Sequence, residues 1–181
     1  PSIDAVEATI RVLEASGFFN AGTGARLQLD GVRRMDASIM EGGELRAGAV
    51  AAIELVRHPI TAARLVMEET AHVLLVGAPA TTFARHFKLE RQKPPTQAQR
   101  HAAAKALPRL SRLSVAQRRM LRLFAQMKGR QTLRNQAGEA RETVGAVALD
   151  RAGTVAAGAS TGGIALMLPG RVGDTPLIGC G

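Results

Sequence analysis

The chain has 181 residues, a length typical of one domain, and its hydrophobic content of 46% is that of an ordinary globular core. No apolar run approaches the roughly 20 residues needed to cross a bilayer, and the single cysteine, Cys180, excludes an intrachain disulfide. The net charge of +9 is local, because residues 85–141 carry 15 Lys and Arg against two acids, which excludes a uniformly basic protein.

The N-terminal part of the chain predicts a helix followed by a hairpin. Residues 2–16 have the apolar spacing of an amphipathic helix, with Ser2 as its cap and Gly17 as its stop. Asp30 and Gly31 then separate two apolar runs, which predicts two strands joined by a tight turn of positive φ.

Three further elements are predicted before residue 91. The alanine-rich segments RAGAVAAIELV and ITAARLVMEET predict two helices that Pro59 separates. The apolar run HVLLVG, residues 72–77, predicts a short strand that is buried on both faces. The segment PATTFARHFKLE predicts a helix with Pro79 near its first turn.

Residues 91–142 differ in composition and are interpreted as a basic linker. The polar stretch RQKPPTQAQR comes first, leucines and arginines at helical spacing follow, and the polar QTLRNQAGEARE ends the segment. An Arg-rich amphipathic helix is also typical of proteins that bind nucleic acid or an acidic membrane surface. Because Tyr and Trp are absent and solvated charge on a linker is the simpler explanation, we expect neither partner.

The C-terminal part predicts a second hairpin. Apolar residues alternate along TVGAVALD, a DRAGT turn follows, and VAAGAS returns. A hairpin that closes at Ala152 and Gly153 pairs Thr143 with the region of Thr161. The order of all these elements predicts an α+β fold with a mostly antiparallel sheet.

Thr143 is the candidate for chemistry because it stands at the head of a strand and directly after the linker. A threonine hydroxyl is a poor nucleophile unless a base lies within hydrogen-bond reach. If the peptide bond before Thr143 is cut, the α-amine of the residue becomes that base, and its pKa of about 8 leaves part of it neutral at physiological pH.

Several motifs in the same order resemble the plant-type asparaginases, also called isoaspartyl peptidases, which are N-terminal-nucleophile hydrolases. TVGAVALDRAGTVAAGASTGG and LPGRVGDTPLIGCG resemble the start of their β-subunit. DAVEATIRVLEASGFFNAGTGARL, MDASIMEG, LRAGAVAAIELVRHPITAARLVME and HVLLVG resemble their α-subunit. The resemblance covers roughly residues 2–90 and 143–181, and it implies an αββα sandwich that is incomplete in this chain.

The resemblance implies a role for each matching residue. Thr143 matches the nucleophile, which autocatalytic cleavage after Glu142 exposes, and Thr161 matches a second threonine that hydrogen-bonds the hydroxyl of the nucleophile. Arg171 matches the arginine that binds the substrate α-carboxylate, and Asp174 matches the acid that binds the α-ammonium. A guanidinium and a carboxylate are chemically suited to these two tasks.

The resemblance also implies the surroundings of the reaction. Asn20 matches an asparagine near the nucleophile, and its loop, at Phe19, Asn20 and Gly22, resembles one whose carbonyls bind a structural sodium. The four histidines are too widely spaced for a zinc pattern, so no catalytic metal and no other cofactor are expected. The implied substrate is L-asparagine or a β-aspartyl peptide, and the implied assembly is a dimer of processed αβ units. The chain would thus divide into an α-subunit-like part, residues 1–142, and the start of a β-subunit, residues 143–181, in a cytoplasmic protein.

The sequence departs from the family pattern at three points. Glu142 replaces the usual Gly or Asp, and it lacks the backbone freedom of glycine that favours an N-to-O acyl shift. Met167 replaces a common lysine. The opening HGGAG strand and the later Thr-Gly segment of the oxyanion hole have no counterpart, so we expect a fragment, and no efficient enzyme from these residues alone.

Two other functions remain open from the residues. One is a glycosylasparaginase-type amidase on the same scaffold, and the other is an inactive basic protein that binds nucleic acid or a membrane surface. An enzyme would release ammonia or aspartate and would lose this activity on Thr143→Ala. A nucleic-acid binder would instead show salt-sensitive retention on DNA that depends on the arginines of residues 109–134.

Overall fold

A computed structural model describes residues 1–99, 113–128, 142–164 and 166–180. The strands are β1 (Arg34–Glu41), β2 (Ala47–Glu54), β3 (Leu74–Val76), β4 (Val144–Leu149) and β5 (Val155–Thr161). The helices are α1 (Ser2–Ser16), α2 (Pro59–Glu69), α3 (Gly77–His86) and α4 (Val115–Lys128), with a 3-10 turn at Gly22–Gly24. The strands form one sheet in the order β3-β2-β1-β5-β4, in which only β2 and β3 are parallel. This is the predicted α+β fold with a mostly antiparallel sheet.

The core lies between one face of this sheet and helices α1 to α3. The buried apolar residues that join these layers include Val6, Ile10, Ile39, Val50, Ile60, Val66, Ala80, Ala84, Val144 and Ala156. Side chains alternate along β4 as predicted: Val144 is buried, whereas Val147 and Leu149 are 74% and 69% exposed on the opposite face. That opposite face also receives the segment after Arg171, where the Ser38 hydroxyl donates to the Thr175 carbonyl at 2.6 Å.

The first helix and the first turn form largely as predicted. Helix α1 ends at Gly17, whose φ of +72° is the left-handed conformation of a helix stop. Ser2 is not its cap: the helix begins at Ser2 itself, and the Ser2 N–H donates to the Asp150 carboxylate at 3.2 Å. The tight turn before β1 also forms, with Gly31 at φ +75° and its N–H donating to the Gln28 carbonyl at 2.8 Å.

The predicted helix over residues 46–56 is wrong, because this segment contains β2. Its small residues allow α2 to approach the sheet closely: a side chain at Gly48 would begin 2.1 Å from the Ala63 carbonyl oxygen. Alanine has high helix propensity, but pairing on both sides by β1 and β3 decides the structure here. The second predicted helix is confirmed as α2, and it begins at Pro59 rather than after it.

Two predicted strands also differ from the structure. The residues before Asp30 do not pair as a strand, because their backbone bonds other loops, as when the Leu29 N–H donates to the Met167 carbonyl at 3.0 Å. The strand predicted at residues 72–77 is shorter, Leu74–Val76, and lies at the sheet edge with Val76 48% exposed, so it is not buried on both faces. The helix predicted after it is confirmed as α3.

The predicted basic linker is described only in part. Helix α4 lies within it, and it buries Phe124 against Leu29 and Leu166. Residues 100–112 and 129–141 of the linker fall outside the described residues. In the part of the chain that is described, no helix is both long and apolar enough to span a bilayer.

Candidate active site

The β4–β5 hairpin places Thr143 beside Thr161. The last pair of its ladder is Val144 with Ser160, so the next residues outward on the two strands are the two threonines. Their hydroxyl oxygens are 3.0 Å apart and hydrogen-bonded. Thr143 lies one residue before β4 and is exposed, whereas Thr161 ends β5 and is only 3% exposed. Thr143 is therefore accessible to solvent, whereas Thr161 is buried next to it.

The turn after β5 orients the Thr161 hydroxyl. The Gly163 N–H donates to the Thr161 Oγ1 at 3.1 Å, so the hydroxyl oxygen has a fixed backbone donor as well as Thr143. Gly163 has φ +79°, a conformation that side chains rarely adopt. Gly162 is equally constrained by space, because a side chain there would begin 2.6 Å from the Asn20 Oδ1. Both glycines of STGG are thus needed for the turn itself.

Asn20 joins the Gly162–Gly163 turn to the residue before the predicted nucleophile. Its side-chain amide donates to the Gly163 carbonyl and accepts from the Arg26 N–H at 3.1 Å. Its backbone N–H donates to the Glu142 carbonyl at 2.9 Å, and its backbone carbonyl accepts from the Gly162 N–H at 2.6 Å. The carbonyl of the Glu142–Thr143 peptide bond therefore has a backbone hydrogen-bond donor in place.

Arg171 lies close to the same turn. Its Nη1 is 3.6 Å from the Met167 sulfur, and it lies 3.5 Å from the point where a side chain at Gly163 would begin. Within the described ranges the guanidinium forms no ion pair with a carboxylate. A half-buried guanidinium without an internal carboxylate partner can accept one from a bound molecule.

Asp174 is placed at the same edge of the sheet, but its link to the threonines is indirect. Both Arg171 and Asp174 act electrostatically on Asp36, the residue of β1 that pairs in register with Thr161. Burial raises the pKa of the Asp36 carboxyl, the negative charge of Asp174 adds to this, and the positive charge of Arg171 opposes it. Asp174 itself is exposed.

Asp36 was not predicted as part of this region. It is 3% exposed and accepts hydrogen bonds from the backbone N–H groups of Ala52 at 2.8 Å and Gly173 at 3.5 Å. Asp36 thereby connects β1 and β2 to the segment that carries Arg171 and Asp174. The signal that could have found it is a single acid between the apolar Met35 and Ala37 of a predicted strand.

Direct hydrogen bonds thus join Thr143 to Thr161 and Asn20 to Glu142, and the peptide bond between Glu142 and Thr143 connects the two pairs. Arg171 is connected to the same turn by its contact with Met167, which lies beside Gly163. Asp174 is connected to the turn by its electrostatic effect on Asp36. Helix α4 packs near the loop after β5, because Phe124 and Leu166 belong to one buried apolar cluster.

The loop before Asn20 is closely packed around Gly24. A side chain at Gly24 would begin 2.1 Å from the Phe19 carbonyl oxygen and 2.7 Å from the Gly17 carbonyl oxygen, so only a glycine fits there. The Gly22 carbonyl accepts hydrogen bonds from the Ala25 N–H and the Gln92 side chain at 3.2 and 3.0 Å. Among the described residues, no three His, Cys, Asp or Glu side chains are grouped to hold a metal.

Comparison with known proteins gives matches along the whole chain. A family model described as asparaginase matches residues 1–181. A plant-type L-asparaginase of Pyrococcus abyssi is 45% identical over 180 residues, covering 99% of this chain and 56% of that protein. An isoaspartyl peptidase of Salmonella typhimurium is 42% identical over 185 residues (99% and 54%), and an isoaspartyl peptidase/L-asparaginase of Bos taurus is 40% identical over 181 residues (99% and 53%). The chain therefore spans about half the length of the curated relatives it matches.

Proposed function

The chain belongs to the asparaginase family, and from this membership we propose that the protein hydrolyses the side-chain amide of L-asparagine or the β-aspartyl bond of isoaspartyl peptides. The observation that carries the proposal is the 3.0 Å hydrogen bond between Thr143 and Thr161, next to a Glu142 carbonyl that Asn20 already holds. The relatives named above supply the reaction class, and this cluster supplies residues able to perform it.

The first step we propose is cleavage between Glu142 and Thr143. The Thr143 Oγ attacks the Glu142 carbonyl carbon, the hydroxyl proton passes to the Thr143 nitrogen, and the peptide C–N bond breaks, so that an ester replaces the amide and the Thr143 nitrogen becomes an amine. The Asn20 N–H, 2.9 Å from the Glu142 oxygen, stabilises the negative charge that develops on that oxygen. Water then hydrolyses the ester, which frees a carboxylate on Glu142 and leaves Thr143 as a chain terminus.

The second step we propose uses the new terminus. The freed α-amine of Thr143 takes the proton of its own hydroxyl, and the oxygen attacks the substrate side-chain carbonyl. Ammonia or the peptide amine leaves with a proton, and water hydrolyses the acyl-threonine to aspartate. Thr161, fixed by the Gly163 N–H at 3.1 Å, orients the attacking oxygen.

Arg171 and Asp174 are the proposed ligands of the amino-acid end of the substrate. The Arg171 guanidinium, which forms no ion pair among the described residues, receives the α-carboxylate through two parallel hydrogen bonds, and the exposed Asp174 receives the α-ammonium. Their opposite charges fix the direction in which the substrate lies, so that its side-chain amide points toward Thr143.

Several wider features belong to the same proposal. Cleavage would divide the chain into residues 1–142 and 143–181, and the five-stranded sheet would be one of the two sheets of an αββα sandwich. The exposed apolar face at Val147 and Leu149 supports a second sheet there, because large apolar side chains on a sheet face favour a covering layer. A dimer of processed units in the cytoplasm, and a reaction that needs no cofactor, complete the proposal.

A structural sodium bound by the loop around Phe19, Asn20 and Gly22 is also proposed. Hard cations prefer oxygen ligands, and the resemblance of this loop to one whose carbonyls bind sodium is the support for the site. Asn20 is part of this loop, so the ion would stabilise the position of Asn20 without entering the reaction. A melting temperature that is higher in sodium than in N-methylglucamine at equal ionic strength supports the site, and equal values contradict it.

The experiment that tests the proposed function compares two threonines of the same hairpin. Ammonia or aspartate release is measured from L-asparagine, β-aspartyl-leucine and a glycosylated asparagine, for the wild-type protein, Thr143→Ala and Thr154→Ala. Thr154 lies at the opposite end of the hairpin, just before β5, so its variant controls for changes to the hairpin. Hydrolysis that Thr143→Ala alone abolishes supports the proposal, and activity that survives in Thr143→Ala contradicts it.

A further inference from the structure

A buried carboxylate lies behind the threonine pair and is not used in the proposed reaction. Glu14, in the last turn of α1, is 0% exposed. Its Oε1 accepts hydrogen bonds from the Ser160 hydroxyl at 2.6 Å and from the Ile60 N–H at 3.1 Å. Its Oε2 lies 3.2 Å from the His58 Nδ1. One carboxylate thus connects α1, β5 and the beginning of α2.

The partner on β5 is the residue next to Thr161. Side chains alternate along a strand, so the Ser160 hydroxyl points toward the helices while the Thr161 hydroxyl points toward Thr143. Ser160 also pairs in register with Val144, the residue after Thr143. A hydrogen bond that fixes Ser160 therefore restrains the residue next to Thr161 and, through the pairing with Val144, the residue next to Thr143.

Glu14 is also in contact with the loop that carries Asn20. A side chain at Gly22 would begin 2.5 Å from the Glu14 Cβ, so this loop packs directly on the backbone and Cβ of Glu14. The loop then holds the Glu142 carbonyl through the Asn20 N–H. Glu14 is thus in contact both with the hydroxyl of Ser160 and with the Asn20 loop through Gly22.

A carboxylate that is buried in this position destabilises the fold unless hydrogen-bond donors surround it. Burial raises the pKa of Glu14, and the hydrogen bonds from His58, Ser160 and Ile60 oppose this. Removal of any one of these partners leaves a buried polar group without one of its hydrogen bonds. Such a network holds its members in one arrangement more strictly than apolar packing would.

We propose that Glu14 is a positioning residue that acts through Ser160 to hold Thr161 against Thr143. Its kinetic consequence depends on the proposed function, whereas its geometric consequence does not. Without the Ser160 anchor, the end of β5 opens more often, and the Thr161 hydroxyl spends less time within hydrogen-bond distance of Thr143. Small displacements of reacting groups reduce rate far more than they reduce substrate affinity.

The decisive variant is Ser160→Ala, which removes one small hydroxyl and leaves both threonines in place. We expect kcat and the rate of cleavage at Glu142–Thr143 to fall about tenfold or more, while KM stays within about twofold. Hydrogen–deuterium exchange should rise in the peptide that contains residues 158–164. The matched control is Thr81→Ala on α3, which removes another buried hydroxyl, bonded to the Glu54 N–H at 3.0 Å, and should lower stability without changing kcat.

A second pair of variants separates positioning from simple loss of a charge. Glu14→Gln keeps an oxygen that can accept from Ser160 and Ile60, so it should retain most of the activity, whereas Glu14→Leu should behave like Ser160→Ala or worse. If Glu14→Leu does not fold, Ser160→Ala and Glu14→Gln decide. Wild-type kcat and wild-type exchange in Ser160→Ala overturn the positioning role. Absence of hydrolysis in the wild-type protein overturns the proposed function instead, and the exchange comparison still decides the role of Glu14.

Discussion

The Glu142–Thr143 peptide bond is surrounded by groups that the reaction needs. The Asn20 N–H bonds its carbonyl, and the Thr143 hydroxyl is held at 3.0 Å from Thr161. Thr161 in turn has the Gly163 N–H as a fixed donor at 3.1 Å. Each contact is an ordinary hydrogen bond, and in the proposed reaction the Thr143 hydroxyl would be the nucleophile and the Asn20 N–H the oxyanion donor.

Thr161→Ala should slow both proposed steps. The variant removes the only described hydroxyl that bonds Thr143, so the attacking oxygen loses its orientation. We expect the rate of cleavage and kcat to fall about 10²–10³-fold. The cleavage rate is followed by mass spectrometry, and kcat by ammonia release. Thr161→Ser keeps the hydroxyl and should retain most of the rate, while equal rates in the alanine variant and the wild type would remove Thr161 from the mechanism.

Arg171→Ala should affect binding rather than the chemical step. A hydrogen bond to a charged group contributes about 1.5–3 kcal/mol, so KM should rise roughly 10- to 100-fold with a smaller change in kcat. The comparison substrate is an asparagine analogue without its α-carboxylate, for which wild type and variant should differ little. A variant that discriminates the two substrates as the wild type does would show that Arg171 does not bind the carboxylate.

The contact between Thr143 and Thr161 could be predicted from the sequence, and the contacts of Asn20 could not. The hairpin register follows from the alternation of apolar residues and the turn at Ala152 and Gly153, so a pairing only 18 residues apart is local information. The Asn20 N–H reaches a carbonyl 122 positions further along the chain, and only tertiary packing brings them together. The buried position of Glu14 was not predicted either, because a glutamate on an amphipathic helix is usually exposed.

Strand β2 is the element for which the sequence predicts the wrong structure. The segment Ala47–Glu54 is rich in alanine, which favours a helix, yet it forms the strand between β1 and β3. Helix propensity is a weak preference of less than about 1 kcal/mol per residue, and two ladders of hydrogen bonds with burial on both faces exceed it. The small side chains that suggest a helix are the ones that let α2 approach the sheet.

Gly48→Ala should test this close approach. A methyl group at Gly48 would begin 2.1 Å from the Ala63 carbonyl and 2.6 Å from the Met67 backbone nitrogen, both fixed within α2. We expect a loss of about 1–3 kcal/mol in the free energy of unfolding, measured by urea denaturation. Gly145→Ala, on β4 of the same sheet, is the control, because its methyl group would meet only the Gly158 carbonyl oxygen at 3.5 Å. Equal losses in the two variants would argue against the proposed contact.

At the scale of the whole molecule, the sheet has two unlike faces. Helices α1 to α3 cover one face and hold Glu14, while the other face carries Asp36 and the segment of Arg171 and exposes Val147 and Leu149. The candidate site lies where β1 and β4 begin and β5 ends. The chain spans about half the length of its curated relatives, and the exposed apolar face is the surface that a second layer would cover.

The stability of the molecule should depend on pH through Asp36. Burial raises the pKa of this carboxyl, so its contribution to stability is full below the pKa of the unfolded chain and is lost as the pH rises through the higher value of the folded chain. The stability of the wild type relative to Asp36→Asn should therefore fall as the pH rises above the ordinary carboxyl pKa of about 4. Urea denaturation at several pH values measures this difference.

A second carboxyl gives a control of opposite sign. The hydrogen bond from Arg57 lowers the pKa of the Glu90 carboxyl, so its contribution is present above the unfolded-state pKa and is lost as the pH falls. The stability of the wild type relative to Glu90→Gln should therefore decrease toward acid pH. The same trend in both variants would contradict the assignment of the Asp36 shift to burial.

In the proposed mechanism Thr143 becomes a chain terminus, and intact-mass spectrometry of the purified protein shows whether it does. The mechanism predicts two polypeptides whose masses place the break between Glu142 and Thr143, with the break absent in Thr143→Ala and retained in Thr154→Ala. A single uncut chain that still releases ammonia from asparagine would contradict it.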